Sequence, residues 1–197
     1  MESEGWFRIA VLVVMVSTLA ATAFFRMQAS RTKEPISRKE EGVVFATTLR
    51  LAGGCLLGLT TTYLLAPDWV QWGAISLPDP VRWLGLGLGG IGALMMAWTL
   101  HSLGRNLTDT VITRASAYLV THGPYRWVRH PFYGCAALVM AGVTLLAANG
   151  AIGLCSILVI AMLVVRTPKE ERHLIDRFGD AYREYQKRTG AFLPRLR

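Results

Sequence analysis

Cysteine is scarce in this chain, with three in 197 residues, and no two of them stand in a CxxC pair. That spacing excludes a disulfide framework and a thiolate metal site. Cys55, Cys135 and Cys155 all fall in apolar runs and read as small buried hydrophobes. No P-loop, no HExxH and no Ser nucleophile elbow occurs, and His101, His122, His130 and His173 lack metal-ligand spacing. Charge is also sparse. Only 17% of residues are charged, against 52% apolar, and the mean hydropathy is +0.36. An ordinary soluble domain is excluded, and an integral membrane protein is expected. At this length one domain is the natural expectation, 1–197. The leader MESE is acidic and the first apolar run is about 20 residues long, as an uncleaved first span requires.

Basic residues are missing where they would otherwise be informative. Of the 21 Lys and Arg, five lie in 26–42, four in 101–130 and nine in 166–197, and none lies in 66–81. This asymmetry places the basic loops on the cytoplasmic side and the N-terminus outside. The basic tail then serves attraction to anionic headgroups rather than nucleic acid. The expected fold is all-α and integral to the membrane, with about five transmembrane helices. Spans are predicted at 6–25, 43–65, 81–101, 131–147 and 151–165. The last two form a helical hairpin around Ala148-Asn149-Gly150. Segment 1–100 reads as a three-span scaffold, and 101–197 as linker, hairpin and tail. Fifteen residues rise only about 22 Å, so the last span must thin the bilayer or continue as helix past Arg166. Residues 169–188 read as an amphipathic cytosolic helix, with Leu174, Ile175, Phe178, Tyr182 and Tyr185 at helical spacing. Arg50, inside the second span, is expected to snorkel to the interface.

Gly87-Leu88-Gly89-Gly90-Ile91-Gly92 matches GxGxxG letter for letter. That fingerprint binds a pyrophosphate only between a strand and a helix. Here it lies within a span, where small residues at 85, 89 and 93 let helices approach closely.

What remains is concentrated. GPYRWVRHPFY at 123–133 combines two arginines, an imidazole and aromatics beside a span, and Arg166, Glu170 and Glu171 follow one hairpin later. Titratable groups at a membrane boundary are costly and are functional candidates by default. Arg166 and Glu170, at i and i+4, share a helix face if the helix runs through Pro168. Taken one at a time, these residues also fit an ion pair at a span end, basic anchors and an interfacial aromatic belt. Pro168 and Gly179 are candidate bending points, by which the tail could act as a lid.

LVTHGPYRWVRHPFYG at 119–134, the R-x-x-x-E-E run at 166–171 and FGDAYREY at 178–185 resemble the isoprenylcysteine carboxyl methyltransferase family, whose relatives include phospholipid N-methyltransferases. The likeness covers roughly 95–197. It implies S-adenosyl-L-methionine bound between the linker and the last hairpin. On the family pattern the cofactor residues would be Tyr118, Leu119, Val120, Gly123, Tyr125, His130, Pro131, Phe132, Tyr133 and Glu170. Arg166 and Arg129 would meet the substrate, and Arg166, His130 and Glu171 would be catalytic. The family often carries His two residues before the Leu-Val pair, where this chain has Ala117.

The implied reaction is methyl transfer to a lipid-like acceptor, most simply a carboxylate of the isoprenylcysteine type. A carboxylate is ionised at pH 7, near pKa 4, so no general base is needed, and Arg166 could align it bidentately. An amine acceptor would need a base, for which Glu171 or His130 are candidates. The competing readings are an NADPH-dependent membrane reductase of the steroid 5α-reductase type and a non-catalytic adaptor. The expected partners are a lipid-like or prenylated substrate and membrane lipids, with no protein partner required.

Overall fold

A computed structural model describes residues 2–30, 43–104 and 118–195. Among the described residues the α-helices are α1 (Glu2–Ser30), α2 (Val43–Leu65), α3 (Asp79–Leu103), α4 (Pro131–Ala147), α5 (Gly150–Phe178) and α6 (Asp180–Arg188). Among the described residues there are also short 3-10 turns at Pro67–Gly73 and Gly123–Arg126 and no strand. Helices α1, α2, α3 and α5 are long and apolar enough to cross a membrane, and α4 is a shorter apolar helix. The protein is therefore an integral membrane, all-α protein, with helices at each of the five predicted spans.

Of the two outcomes expected for the last span, the structure takes continuation as helix past Arg166, and residues 169–188 are helical except at Gly179. Helix α5 passes through Pro168 unbroken, and its 29 residues extend about 43 Å. Good helix formers, Lys169 to Arg172, follow the proline and carry the helix on. The break comes at Gly179, whose φ of +57° ends α5 and opens α6. The helix assignment thus continues through Pro168 and is interrupted at Gly179. Of the expected basic loops, 31–42 and 105–117, with Ala117, lie outside the described residues.

The helices alternate in direction, so the bundle has two ends. At one end the α4–α5 hairpin turns at Ala148, which takes a left-handed φ of +45°. Asn149 then caps α5. Its Oδ1 accepts from the amides of Ala151 and Ile152 at 3.0 and 3.1 Å, and its Nδ2 donates to the Val70 carbonyl at 2.9 Å. Close by, Arg82 is 8% exposed. It donates to both carboxylate oxygens of Glu4, at 2.7 and 3.1 Å, and to the Leu146 carbonyl, at 3.0 and 2.7 Å. Tyr63 gives its hydroxyl proton to Glu4 at 2.7 Å. One buried guanidinium thereby ties α1, α2, α3 and α4 together.

The glycines of α3 act in packing. Helix α3 packs most extensively on α4 and next on α1. A Cβ added at Gly85 would lie 2.6 Å from the Gly142 carbonyl oxygen, and one at Gly92 would lie 2.8 Å from the Val139 amide. The GxGxxG string is a helix contact, as expected, with close approaches at Gly85 and Gly89 and a further one at Gly92. A Cβ at Gly142 would sit 2.5 Å from the Gly89 amide nitrogen, backbone against backbone. Gly142→Val should therefore cost roughly 1–3 kcal/mol or more, read as a lower melting temperature in detergent.

All three cysteines are free; Cys135 is buried, Cys155 half-buried and Cys55 exposed. The expectation that all three are buried fails at Cys55, because α2 leans on α5 and leaves most of its own circumference open. Arg50 lies exposed on the same helix.

Candidate active site

The opposite end of the bundle gathers the chemistry. His130-Pro131 opens α4, with Pro at the first helical position, where its missing N–H costs nothing. Upstream, Gly123 turns the chain at φ +58°, and a Cβ there would lie 2.3 Å from Ser102 Oγ. Downstream of α6, Gly190 returns the chain alongside 128–130. The amides of Arg129 and His130 donate to the carbonyls of Gly190 and Ala191, at 2.8 and 2.9 Å. A Cβ at Gly190 would fall 1.8 Å from the Leu193 carbonyl oxygen, so Gly190→Ala should loosen this strap and lower the melting temperature.

Two neighbouring carboxylates on α5 organise the cluster. Tyr133 donates to Glu170 Oε2 at 2.6 Å, and Arg166 Nε stands 2.9 Å from Glu170 Oε1. Arg129 Nε donates to Glu171 Oε1 at 2.7 Å, and Gln186 Nε2 to Glu171 Oε2 at 2.9 Å. His130 lies between them, with Nε2 3.2 Å from Glu171 Oε1 and Nδ1 3.6 Å from Glu170 Oε2. Its ring stacks on Tyr133 at 5.5 Å and 11°, and Phe192 leans on both rings. His130 and Tyr133 are each 8% exposed. Arg129 also donates to the Thr189 carbonyl, and Tyr185 gives its hydroxyl proton to the Tyr125 carbonyl at 2.5 Å. Burial pushes the phenols of Tyr125, Tyr182 and Tyr185 upward, so each stays a neutral hydroxyl across the physiological range.

Of the residues expected at a site, Arg129, His130, Tyr133, Arg166, Glu170 and Glu171 come together. Tyr125 is tied to α6 beside them, Pro131 is buried at the start of α4, and Phe132 packs edge-on to Tyr133. The others stand apart from the paired carboxylates. Tyr118 is 56% exposed, Val120 is buried, and Gly123 is occupied in its turn. Leu119 lines a separate cleft of about 360 Å³ with Thr121, Arg126, Glu184, Tyr185 and Arg188. Gln186, Thr189 and Phe192 were not among the expected residues. For Gln186 the available signal was its place one helical turn after Tyr182; for Phe192 it was the helix break at Gly190.

Residues 85–176 match the model of the isoprenylcysteine carboxyl methyltransferase family. That segment holds His130, Tyr133, Arg166, Glu170 and Glu171. Over that segment the chain is similar to the isoprenylcysteine carboxyl methyltransferase family. A probable protein-S-isoprenylcysteine O-methyltransferase of Oryza sativa subsp. indica is 26% identical over 199 residues, covering 98% of this chain and 97% of that one. The nickel-cobalt-cadmium resistance protein NccN of Alcaligenes xylosoxydans xylosoxydans is 31% identical over 115 residues, 58% of this chain and 53% of that protein. The chain spans about half the length of the first curated relatives it matches. Among solved structures, the eukaryotic intramembrane Ras methyltransferase, an isoprenylcysteine carboxyl methyltransferase, has the same fold. The TM-score is 0.56 at 18% identity, over 94% of this chain and 67% of that one. Arg129, His130 and the paired carboxylates thus lie inside the family segment, whereas Gln186, Thr189 and Phe192 lie beyond it.

Proposed function

We propose that this protein is a methyltransferase that uses S-adenosyl-L-methionine to methylate the carboxylate of a lipid-like, prenylated acceptor. The observation that carries the reading is the pair Glu170 and Glu171, each held by an arginine and flanked by the His130–Tyr133 stack, at one end of a membrane-spanning bundle. The donor set fits the cofactor. Glu170 suits an ammonium group, and the stacked aromatic faces suit a purine or a sulfonium. Tyr133, Tyr125 and Glu170 would hold it, with His130, Pro131 and Phe132 shaping the pocket.

When bound, the cofactor supplies a methyl group on a cationic sulfur. The chain's own residues then position rather than activate. Arg166 aligns the acceptor carboxylate, and Arg129 and Glu171 hold His130 in place. No proton has to leave the acceptor, since a carboxylate is ionised at pH 7. The rate advantage comes from orientation in a site largely withdrawn from water. The distribution of Lys and Arg supports a cytoplasmic location for this end, with the N-terminus outside.

Calorimetric titration of the detergent-purified protein with S-adenosylhomocysteine tests the reading, with NADPH and Glu170→Ala as comparators. Saturable binding that weakens in the variant is the expected result. Binding of NADPH alone, or of neither ligand to folded protein, would overturn it.

A further inference from the structure

At the Glu4 end, away from the paired carboxylates, α1 and α2 touch only sparingly. Between them runs a trough of about 530 Å³, lined on one side by Leu12, Val16 and Leu19 and on the other by Leu57 and Leu64. Leu12, Val16, Leu19 and Leu57 are 47–55% exposed. The trough is concave and apolar along its length, with one charged residue, Arg8, at its end.

Arg8 donates to the Leu64 carbonyl. A guanidinium carries several further N–H donors and a charge that a carbonyl does not neutralise. The neighbouring acid, Glu4, bonds Arg82 at 2.7 Å and Tyr63 at 2.7 Å and is acted on by Arg8 only through space, so its one negative charge is shared by two guanidiniums. Asp68 is solvent-exposed, bonded to Gln71, and faces a different cleft. The end of the trough therefore presents positive charge that asks for an anion.

Length narrows the choice of occupant. Arg8 to Leu19 is a rise of about 16 Å along the helix, close to half the roughly 30 Å hydrocarbon thickness of a bilayer. An occupant with its anion at Arg8 would reach the midplane and stop there. We propose that the α1–α2 trough is a binding site for one anionic glycerophospholipid of the leaflet at the Glu4 end. Its phosphate meets Arg8 and one acyl chain fills the space between the helices. The lipid takes the place of the side-chain contacts that α1 and α2 lack, and it sits in the leaflet opposite the carboxylate cluster.

Native mass spectrometry of the detergent-released full chain, titrated with dioleoyl phosphatidylglycerol, tests this. Dioleoylglycerol serves as the same chains without phosphate. The variants are Arg8→Gln, Leu12→Trp to fill the trough, and Leu94→Trp on an exposed face of α3 as control. One phosphatidylglycerol should stay bound to wild type and to Leu94→Trp. Affinity should fall about tenfold or more in Arg8→Gln and vanish in Leu12→Trp, with dioleoylglycerol weak throughout. Melting temperatures establish that each variant is folded. Because Leu12 is half exposed, its variant decides the matter if Arg8→Gln fails to fold. Equal phosphatidylglycerol binding by all folded variants, equal binding of dioleoylglycerol by wild type, or a protein dimer that Leu12→Trp dissociates and lipid does not would each overturn the proposal.

Discussion

Glu170→Ala should lower kcat/KM for methyl transfer by two orders of magnitude or more, chiefly through a higher KM for S-adenosyl-L-methionine. Glu170 accepts the Tyr133 proton at 2.6 Å and faces Arg166 Nε at 2.9 Å. Hydrogen bonds to charged groups are worth about 1.5–3 kcal/mol each, and each 1.4 kcal/mol is tenfold. Losing the carboxylate removes the Tyr133 bond and the counter-charge of Arg166, besides the role proposed for it toward the cofactor's ammonium. Arg166→Ala should instead fall mainly on the acceptor, raising its KM or lowering kcat while cofactor binding changes little. Glu170→Gln keeps an acceptor for Tyr133 but no charge for Arg166, so it should lie between wild type and alanine. Incorporation of labelled methyl into an S-prenyl cysteine derivative, with each substrate varied in turn, reads all three. Wild-type kinetics in both alanine variants would remove the assignment.

Arg82→Met should destabilise the bundle by about 3 kcal/mol, within the range for breaking one side of a buried ion pair. Glu4 is 43% exposed on its side chain and keeps some water, so its share of that cost is discounted. The larger share falls on the Leu146 carbonyl, which loses both guanidinium donors in a residue that is 0% exposed. Arg82→Lys can restore one such bond but not the fork to Glu4, and it should recover only part of the loss. Thermal unfolding in detergent measures both. Equal melting temperatures for wild type and Arg82→Met would mean that the network contributes nothing net.

The helices were legible because apolar runs and Lys/Arg placement are long-range, redundant signals. The candidate cluster was legible where the residues are written in adjacent letters, as in His130-Pro131 and Glu170-Glu171. What escaped was contact across distance. Arg82 reads as a basic residue at the start of a span, and nothing local says that Glu4, 78 positions earlier, will meet it. Phe192 reads as a tail residue until Gly190 turns the chain back onto His130. At Pro168 two outcomes were allowed, a proline inside a continuing helix or the first turn of a new one, and the flanking residues tip the choice without advertising it.

That unbroken helix also sets a height. From the Asn149 cap to Glu170 is about 32 Å of helix, against a hydrocarbon layer of roughly 30 Å. One continuous helix is therefore long enough to carry the carboxylates from the Asn149 turn across the thickness of a hydrocarbon layer. An acceptor with a long tail can present its head there while the tail stays dissolved in the bilayer. Extracting such a tail into water would cost about 0.8 kcal/mol for every methylene, and a site at this elevation leaves that work undone.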